Sequence, residues 1–134
     1  LGAKSLIKAM NKIFNGDTSF QEQDHKEATY AKKISKEEAK ISWNNSAKTI
    51  LAKINGLNPN PGAWFKYQNE RYKVWKAKIV NTSGNPGIIL DEMLTIACNE
   101  QSIKILEIQK EGKSRQQIDQ FLLGNNIKIG ESIY

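Results

Sequence analysis

Residues 71–80 read Arg71-Tyr72-Lys73-Val74-Trp75-Lys76-Ala77-Lys78-Ile79-Val80. The run is rich in β-branched and aromatic residues, so it reads as a strand. Its alternation breaks once. Arg71 and Lys73 share one parity, Lys76 and Lys78 share the other, and Val74 and Trp75 lie side by side between them. A strict period of two would split the four cations across both faces. One extra residue near Val74–Trp75, a β-bulge, returns all four to one face and bends the strand. A small closed barrel needs strongly bent strands, so this stretch decides the architecture.

Just upstream, Ala63–Tyr67 reads as a partner strand, joined through Gln68-Asn69-Glu70 as a short hairpin connection. Downstream, Gly84-Asn85-Pro86-Gly87 is a turn signal within residues 81–87. Ile88–Leu90, Leu94–Cys98 and Ile103–Gln109 then read as strands. Ser114 is expected to cap a last helix with Ile118, Phe121 and Leu122 on one face and Gly124 after it. Ile127–Ile133 is expected to close as a strand.

Upstream of the hairpin, Ala47, Ile50, Leu51, Ile54 and Leu57 make a helical stripe, with Asn44 or Asn45 as its cap. Asn58-Pro59-Asn60-Pro61-Gly62 ends it, because a residue before proline avoids the α region. Ser35-Lys36-Glu37-Glu38 matches a capping box, followed by a helical turn and an extended piece, Ile41-Ser42-Trp43. Residues 17–33 are polar and aperiodic and read as a linker or strap. Leu6, Ile7, Met10, Ile13 and Phe14 predict a helix over 2–15, with Gly16 after it and an apolar stripe that calls for a partner surface. The expected fold is mainly β. It is a small antiparallel barrel of the oligonucleotide/oligosaccharide-binding (OB) type, with a helix before it, one near its end, and an additional N-terminal helix.

The chain has 134 residues, enough for one domain with little left over. Cys98 is the only cysteine and His25 the only histidine. An intrachain disulfide is excluded, and no Cys/His set exists to hold zinc. A Ser-His-Asp arrangement would have to use His25, which sits between Asp24 and Lys26. No apolar run approaches the roughly 20 residues of a membrane span, and no secretory signal is present. Leu1 in place of an initiator methionine leads us to expect a piece of a longer protein.

The net charge of +6 is uneven. Residues 44–90 hold seven basic residues and one acidic residue, Glu70, while the flanking parts carry net +2 and −2. A one-sign patch of this kind suggests a polyanion partner. Against this, 18 of the 20 basic residues are lysine, with 17 Ile and 13 Asn, a bias that A+T-rich codons produce with no binding role. Adjacent Glu37 and Glu38 point apart on a helix and fit helix-start electrostatics better than paired acid chemistry. Cys98, between Ala97 and a turn, reads as a small core residue rather than a nucleophile. Trp43, Trp64 and Trp75 can stack on bases, but neighbouring apolar residues favour core packing for each. Gly84–Gly87 lacks the pattern of a phosphate loop, and no nucleophile, base and oxyanion set is present. What remains is a ridge of Arg71, Lys73, Lys76 and Lys78, with a second cluster at Lys32, Lys33 and Lys36. Such cations either track a phosphate backbone or form a solvated face.

Several stretches, in order, carry a resemblance. They are Ala28-Thr29-Tyr30-Ala31-Lys32-Lys33-Ile34-Ser35-Lys36-Glu37-Glu38-Ala39-Lys40-Ile41-Ser42-Trp43 and Gly56-Leu57-Asn58-Pro59-Asn60-Pro61-Gly62-Ala63-Trp64-Phe65. Lys73-Val74-Trp75-Lys76-Ala77, Pro86-Gly87-Ile88-Ile89-Leu90 and Leu106-Glu107-Ile108-Gln109-Lys110-Glu111-Gly112-Lys113 follow. Over residues 28–134 the chain resembles the C-terminal part of the methionyl-tRNA formyltransferase family. It departs at Asn60, where an aromatic residue is more usual, and at Ser42, where an acidic one is.

The resemblance implies a parent enzyme of translation initiation. That enzyme moves a formyl group from 10-formyltetrahydrofolate to the amino group of methionyl-initiator tRNA. The Asn, His and Asp that do this chemistry belong to a preceding α/β catalytic domain and have no counterpart here; His25 does not match. The chain alone is therefore expected to be inactive, with no catalytic, cofactor or metal residues of its own. By the same resemblance, residues 1–16 are the last helix of the catalytic domain, 17–40 the linker and 41–134 the tRNA-binding barrel. The residues implied to face tRNA are Lys32, Lys33, Lys36, Lys73 and Lys76, with Lys78 and Lys113 added. The expected partners are initiator methionyl-tRNA and the catalytic domain, in a monomeric, cytoplasmic protein with no membrane contact. The alternatives are the barrel of another folate-dependent formyltransferase with a small substrate, and a docking or assembly barrel that binds no nucleic acid.

Overall fold

The structure is a computed structural model and describes residues 1–133. The chain divides into two units, Leu1–Lys32 and the remainder from Lys33. In the first unit, helix α1 (Gly2–Phe14) has no buried residue. It ends in a Schellman arrangement: Gly16, at φ +71°, donates to the Ile13 carbonyl, and Asp17 donates to Lys12. Leu6, Ile7, Met10 and Ile13 are each more than half exposed, so the predicted stripe exists and is uncovered within its unit. Beyond it, residues 17–32 are exposed and hold only a turn, where Lys26 N–H donates to Asp24 Oδ1.

The second unit opens on the capping box, which forms as predicted. Glu38 N–H donates to Ser35 Oγ at 3.2 Å, and Ser35 N–H donates to Glu38 Oε2 at 2.6 Å. The Ser35 backbone N–H, and after it the Ser35 hydroxyl, favour the charged carboxylate and hold the Glu38 carboxyl below the usual range. Lys53 then ties helix α2 (Ala47–Leu57) to this turn by donating to the carbonyls of Glu38 and Lys40. The cap of α2 is Ser46, whose Oγ accepts from Thr49 N–H, rather than Asn44 or Asn45. The helix buries Ala47, Ile50 and Ile54, as its stripe requires, and stops at Asn58, which is extended before Pro59.

Among the described residues five strands follow: β1 (Trp64–Tyr67), β2 (Glu70–Val80), β3 (Thr95–Ala97), β4 (Ser102–Lys110) and β5 (Gln116–Gln117). The sheet is antiparallel in the order β1-β2-β4-β3, with β5 also on β4. The hairpin loop is two residues, Gln68 and Asn69, both at positive φ, and Glu70 belongs to β2. This twist matches that of the flanking strands. Single bridges extend both edges: Lys40 pairs with Trp64 beside β1, Ile89 with Ile96 beside β3, and Ile88 with Ser132 beyond it. The two margins face each other across a cleft of about 290 Å³ lined by Ile41, Trp43, Pro86 and Ile133, among others. The result is the expected small antiparallel barrel, in the form of a curled half-barrel. Ile88–Leu90 and Ile127–Ile133 are held by these bridges and are not strands, and Ser114 caps nothing. Helix α3 (Ile118–Leu123) starts instead from Gln117, directly after β5.

The interior is aliphatic around Val74, Ile96, Ile103, Ile105 and Ile108, with an aromatic group beside it. Phe65 stacks on Tyr72 at 5.6 Å, while Trp43 and Phe121 meet this pair edge-on. The Tyr72 hydroxyl donates to Glu70 at 2.9 Å, and Glu70 also pairs with Lys110 at 2.7 Å. Burial, and then the Glu70 carboxylate, push the Tyr72 phenol well above its ordinary range. Its polar end is thus fixed at the edge of an apolar cluster.

Candidate nucleic-acid interface

The bulge is where the sequence places it. Val74 lies opposite Ile108, Lys76 opposite Glu107 and Ala77 opposite Ile105. Trp75 is therefore an unpaired extra residue in β2, and Leu106 is its counterpart in β4. Tyr72 and Val74 point inward before the bulge; Ala77 and Ile79 pack on the core after it. Arg71, Lys73, Lys76 and Lys78 all face outward, as one ridge.

A bulge frees a carbonyl from the ladder, and the Trp75 carbonyl accepts from Asn58 Nδ2 at 2.8 Å. Asn58→Ala is expected to cost about 1–3 kcal/mol, because that carbonyl loses its partner. Urea unfolding would report it as a lower midpoint at unchanged slope.

Trp75 corrects the sequence reading. It shares the outward face with the cations and is not a core residue. Its Nε1–H donates to Gln109 Oε1 at 2.9 Å. Lys73 Nζ and Arg115 Cζ lie 5.0 and 4.8 Å from the ring centre. The parity shift that moves Lys76 outward moves Trp75 too, so this much was readable. Arg115 had no such signal, because it arrives from the turn before β5. It pairs with Glu107; that bond, then one from Gln117, holds the Glu107 carboxyl below its usual range. Trp43 and Trp64 are buried, as expected.

Trp64 assembles a second part of the site. It is 3% exposed, its Nε1–H donates to the Lys36 carbonyl at 2.7 Å, and the Arg71 guanidinium lies 4.2 Å over its ring. The cap turn carrying Lys36 is thereby held beside the start of β2. Lys73 lies over Gly62, where a Cβ would stand 2.7 Å from its stem. A groove of about 320 Å³ results, and Lys36, Arg71 and Lys73 are among the residues that line it.

The named lysines thus separate. Lys36 and Lys73 line one groove, and Lys76 and Lys78 continue along the same strand face, both exposed. Lys113 is exposed in the β4–β5 connection and lines a different recess, with Lys110. Lys33 is exposed at the start of the second unit, away from the groove lining, and Lys32 belongs to the first unit. Cys98 is buried, and burial pushes its thiol up to about 11, which fits a core residue. His25 is exposed. Among the described residues no cluster of His, Cys, Asp and Glu can hold a metal, and no helix is long and apolar enough to cross a membrane.

Residues 33–126 match the family model described as formyl transferase, C-terminal domain, and the chain belongs to that family. The match begins where the second unit begins. The chain is 46% identical over 134 residues to a methionyl-tRNA formyltransferase of Pelagibacter ubique, covering 99% of this chain and 43% of that protein. It is 42% identical to that of Bradyrhizobium diazoefficiens, covering 97% of this chain and 43% of the relative. With that of Orientia tsutsugamushi it shares 44%, over 95% of this chain and 42% of the relative. The chain therefore spans less than half the length of these relatives. Among solved structures it superposes on HypX from Aquifex aeolicus in complex with tetrahydrofolic acid. The TM-score is 0.69 at 18% identity, covering 96% of this chain and 26% of that one. That likeness concerns the fold alone.

Proposed function

We propose that this chain is the C-terminal, tRNA-holding part of a methionyl-tRNA formyltransferase. The parent enzyme transfers a formyl group from 10-formyltetrahydrofolate to the amino group of methionyl-initiator tRNA in the cytoplasm. The carrying observation is the bulge at Trp75, which sets Arg71, Lys73, Lys76 and Lys78 on one outward face next to Lys36. Relatives of that name, 36–46% identical over nearly the whole chain, support the reading. The formyl donor and the reacting groups belong to the catalytic domain of the parent. Residues 1–16 are its last helix, which accounts for a stripe left uncovered in its own unit. Residues 17–40 are the linker and 41–134 the barrel, acting as a monomer. Lys32 and Lys33 add linker charge, and Lys113 extends the basic surface beyond the groove.

Phosphate contacts give affinity that falls with salt and carries no sequence information. Titrations of the chain with tRNA at several salt concentrations are expected to give a log–log slope of roughly −3 to −4, from about three to five contacts. Lys73→Ala/Lys76→Ala is expected to make the slope about two units shallower and to weaken initiator and elongator tRNA alike. A flat slope, or one that the double change leaves untouched, would make the ridge a solvated face and favour the docking-barrel alternative.

A further inference from the structure

The groove beside β2 holds more than cations. Glu111 lines it together with Lys36, Arg71 and Lys73. Glu111 N–H donates to the Arg71 carbonyl at 2.9 Å, so the two side chains leave the backbone side by side. Gly112, at φ +72°, turns the chain immediately afterwards. Among the described residues no cation lies within ion-pairing distance of the Glu111 carboxylate. A surface that only gripped phosphates would bind better without it, since an unpaired carboxylate repels them. Its place among three cations makes chemical sense for a ligand that brings an anion and a hydrogen-bond donor together.

A volume of about 320 Å³ is too large for a phosphate alone and suits one nucleotide unit. Gln109 is already spent at both ends, on Trp75 Nε1–H and on the Lys113 carbonyl, so it forms a rigid wall. Pro61 supplies an apolar surface for a sugar.

We propose that this groove seats a single unpaired ribonucleotide of the bound RNA. Lys36, Arg71 and Lys73 lie on its phosphate, and Glu111 accepts a hydrogen bond from its ribose 2′-hydroxyl. The inference rests on the RNA-binding reading and gives it a sugar-reading element. The 2′-hydroxyl is the group that separates RNA from DNA, and unpaired nucleotides are the ones RNA-binding proteins turn out and hold.

The test compares adenosine pentanucleotides, ribo and deoxy, titrated into the whole chain. Binding is followed by anisotropy and by backbone amide shifts. The expected result is a preference for the ribo strand of about tenfold, the scale of one hydrogen bond to a charged group, with shifts gathered at Arg71, Glu111 and Gly112. Glu111→Ala removes both the acceptor and a negative charge, so the deoxy strand should bind more tightly, the ribo strand should not gain, and their ratio should fall to about one. If the variant strengthens both strands and keeps their ratio, Glu111 acts through charge only and the proposal is overturned. The same holds if the groove amides do not move while whole tRNA still binds with its salt slope, which leaves the tRNA reading intact. Loss of tRNA binding by the unaltered chain at all salt concentrations overturns both.

Discussion

Trp64→Ala is expected to lower the free energy of unfolding by about 3–5 kcal/mol, the usual range for truncating a buried aromatic side chain. Three connections meet in this residue. Its backbone N–H donates to Ala39 and its carbonyl accepts from Ile41, which attaches residues 39–41 to the edge of β1. Its indole N–H holds the Lys36 carbonyl, and its ring supports the Arg71 guanidinium. The backbone pairing survives the substitution, while the indole bond and the ring do not. Trp64→Phe separates them: the ring stays under Arg71, the Lys36 carbonyl loses its donor, and the loss should be smaller, about 1–3 kcal/mol. Urea unfolding of the two variants checks the order. Equal losses would mean that the indole bond, and not packing, carries the stability.

Gly87→Ala is expected to cost about 2–5 kcal/mol, by two additive routes. Gly87 has φ +85°, where a side chain costs about 1–2 kcal/mol. Its Cβ would also stand 2.8 Å from the Ile133 carbonyl oxygen, and backbone yields less readily than a side-chain tip. Forced overpacking of this kind costs about 1–3 kcal/mol. Gly112→Ala is the control: its φ is +72°, but the added Cβ meets open space, so only the conformational part remains. Thermal or urea midpoints should fall further for Gly87→Ala than for Gly112→Ala. If both fall alike, the Ile133 carbonyl moves aside without cost.

These two positions also mark the limit of what the sequence discloses. Periodicity reveals elements whose residues repeat on one face, which is why α1, α2, the hairpin and the bulge in β2 were legible. It does not separate a strand from a segment whose pairing consists of isolated bridges. Ile88–Leu90 and residues 127–133 have strand-like composition, yet they join the sheet through single bridges. Conversely, Gln116 and Gln117 form β5 with no strand-like side chains, because they complete the ladder of β4 opposite Ile108 and Glu107. That pairing occupies the place where Ser114 was expected to begin a helix. The cap of α2 lies one residue beyond the two asparagines that the sequence reading proposes, at Ser46, whose hydroxyl sits three residues before the Thr49 N–H that it accepts from.

The ridge was readable because it lies on one strand. The groove was not, because Lys36, Arg71 and Glu111 come from separate stretches that meet only through Trp64 and the pairing of β2 with β4. The resemblance over residues 28–134 carried the family, since its motifs are ordered along the chain. It carried no information about which lysines share a cavity.

The two unpaired residues, Trp75 in β2 and Leu106 in β4, have a consequence for how this domain can change in length. Each strand takes one surplus residue at the same point of the ladder, so pairing resumes beyond it in the register it had before. Removing Trp75 alone would leave Val74 opposite Ile108, Lys76 opposite Glu107 and Ala77 opposite Ile105, with Leu106 still the surplus residue of β4. Removing Trp75 and Leu106 together would leave a continuous ladder with the same residues inside and outside. Either strand can therefore gain or lose its surplus residue without turning a cation inward, and the two events, some thirty residues apart, need not coincide. A lineage can thus change the bend of this sheet in two separate single-codon steps.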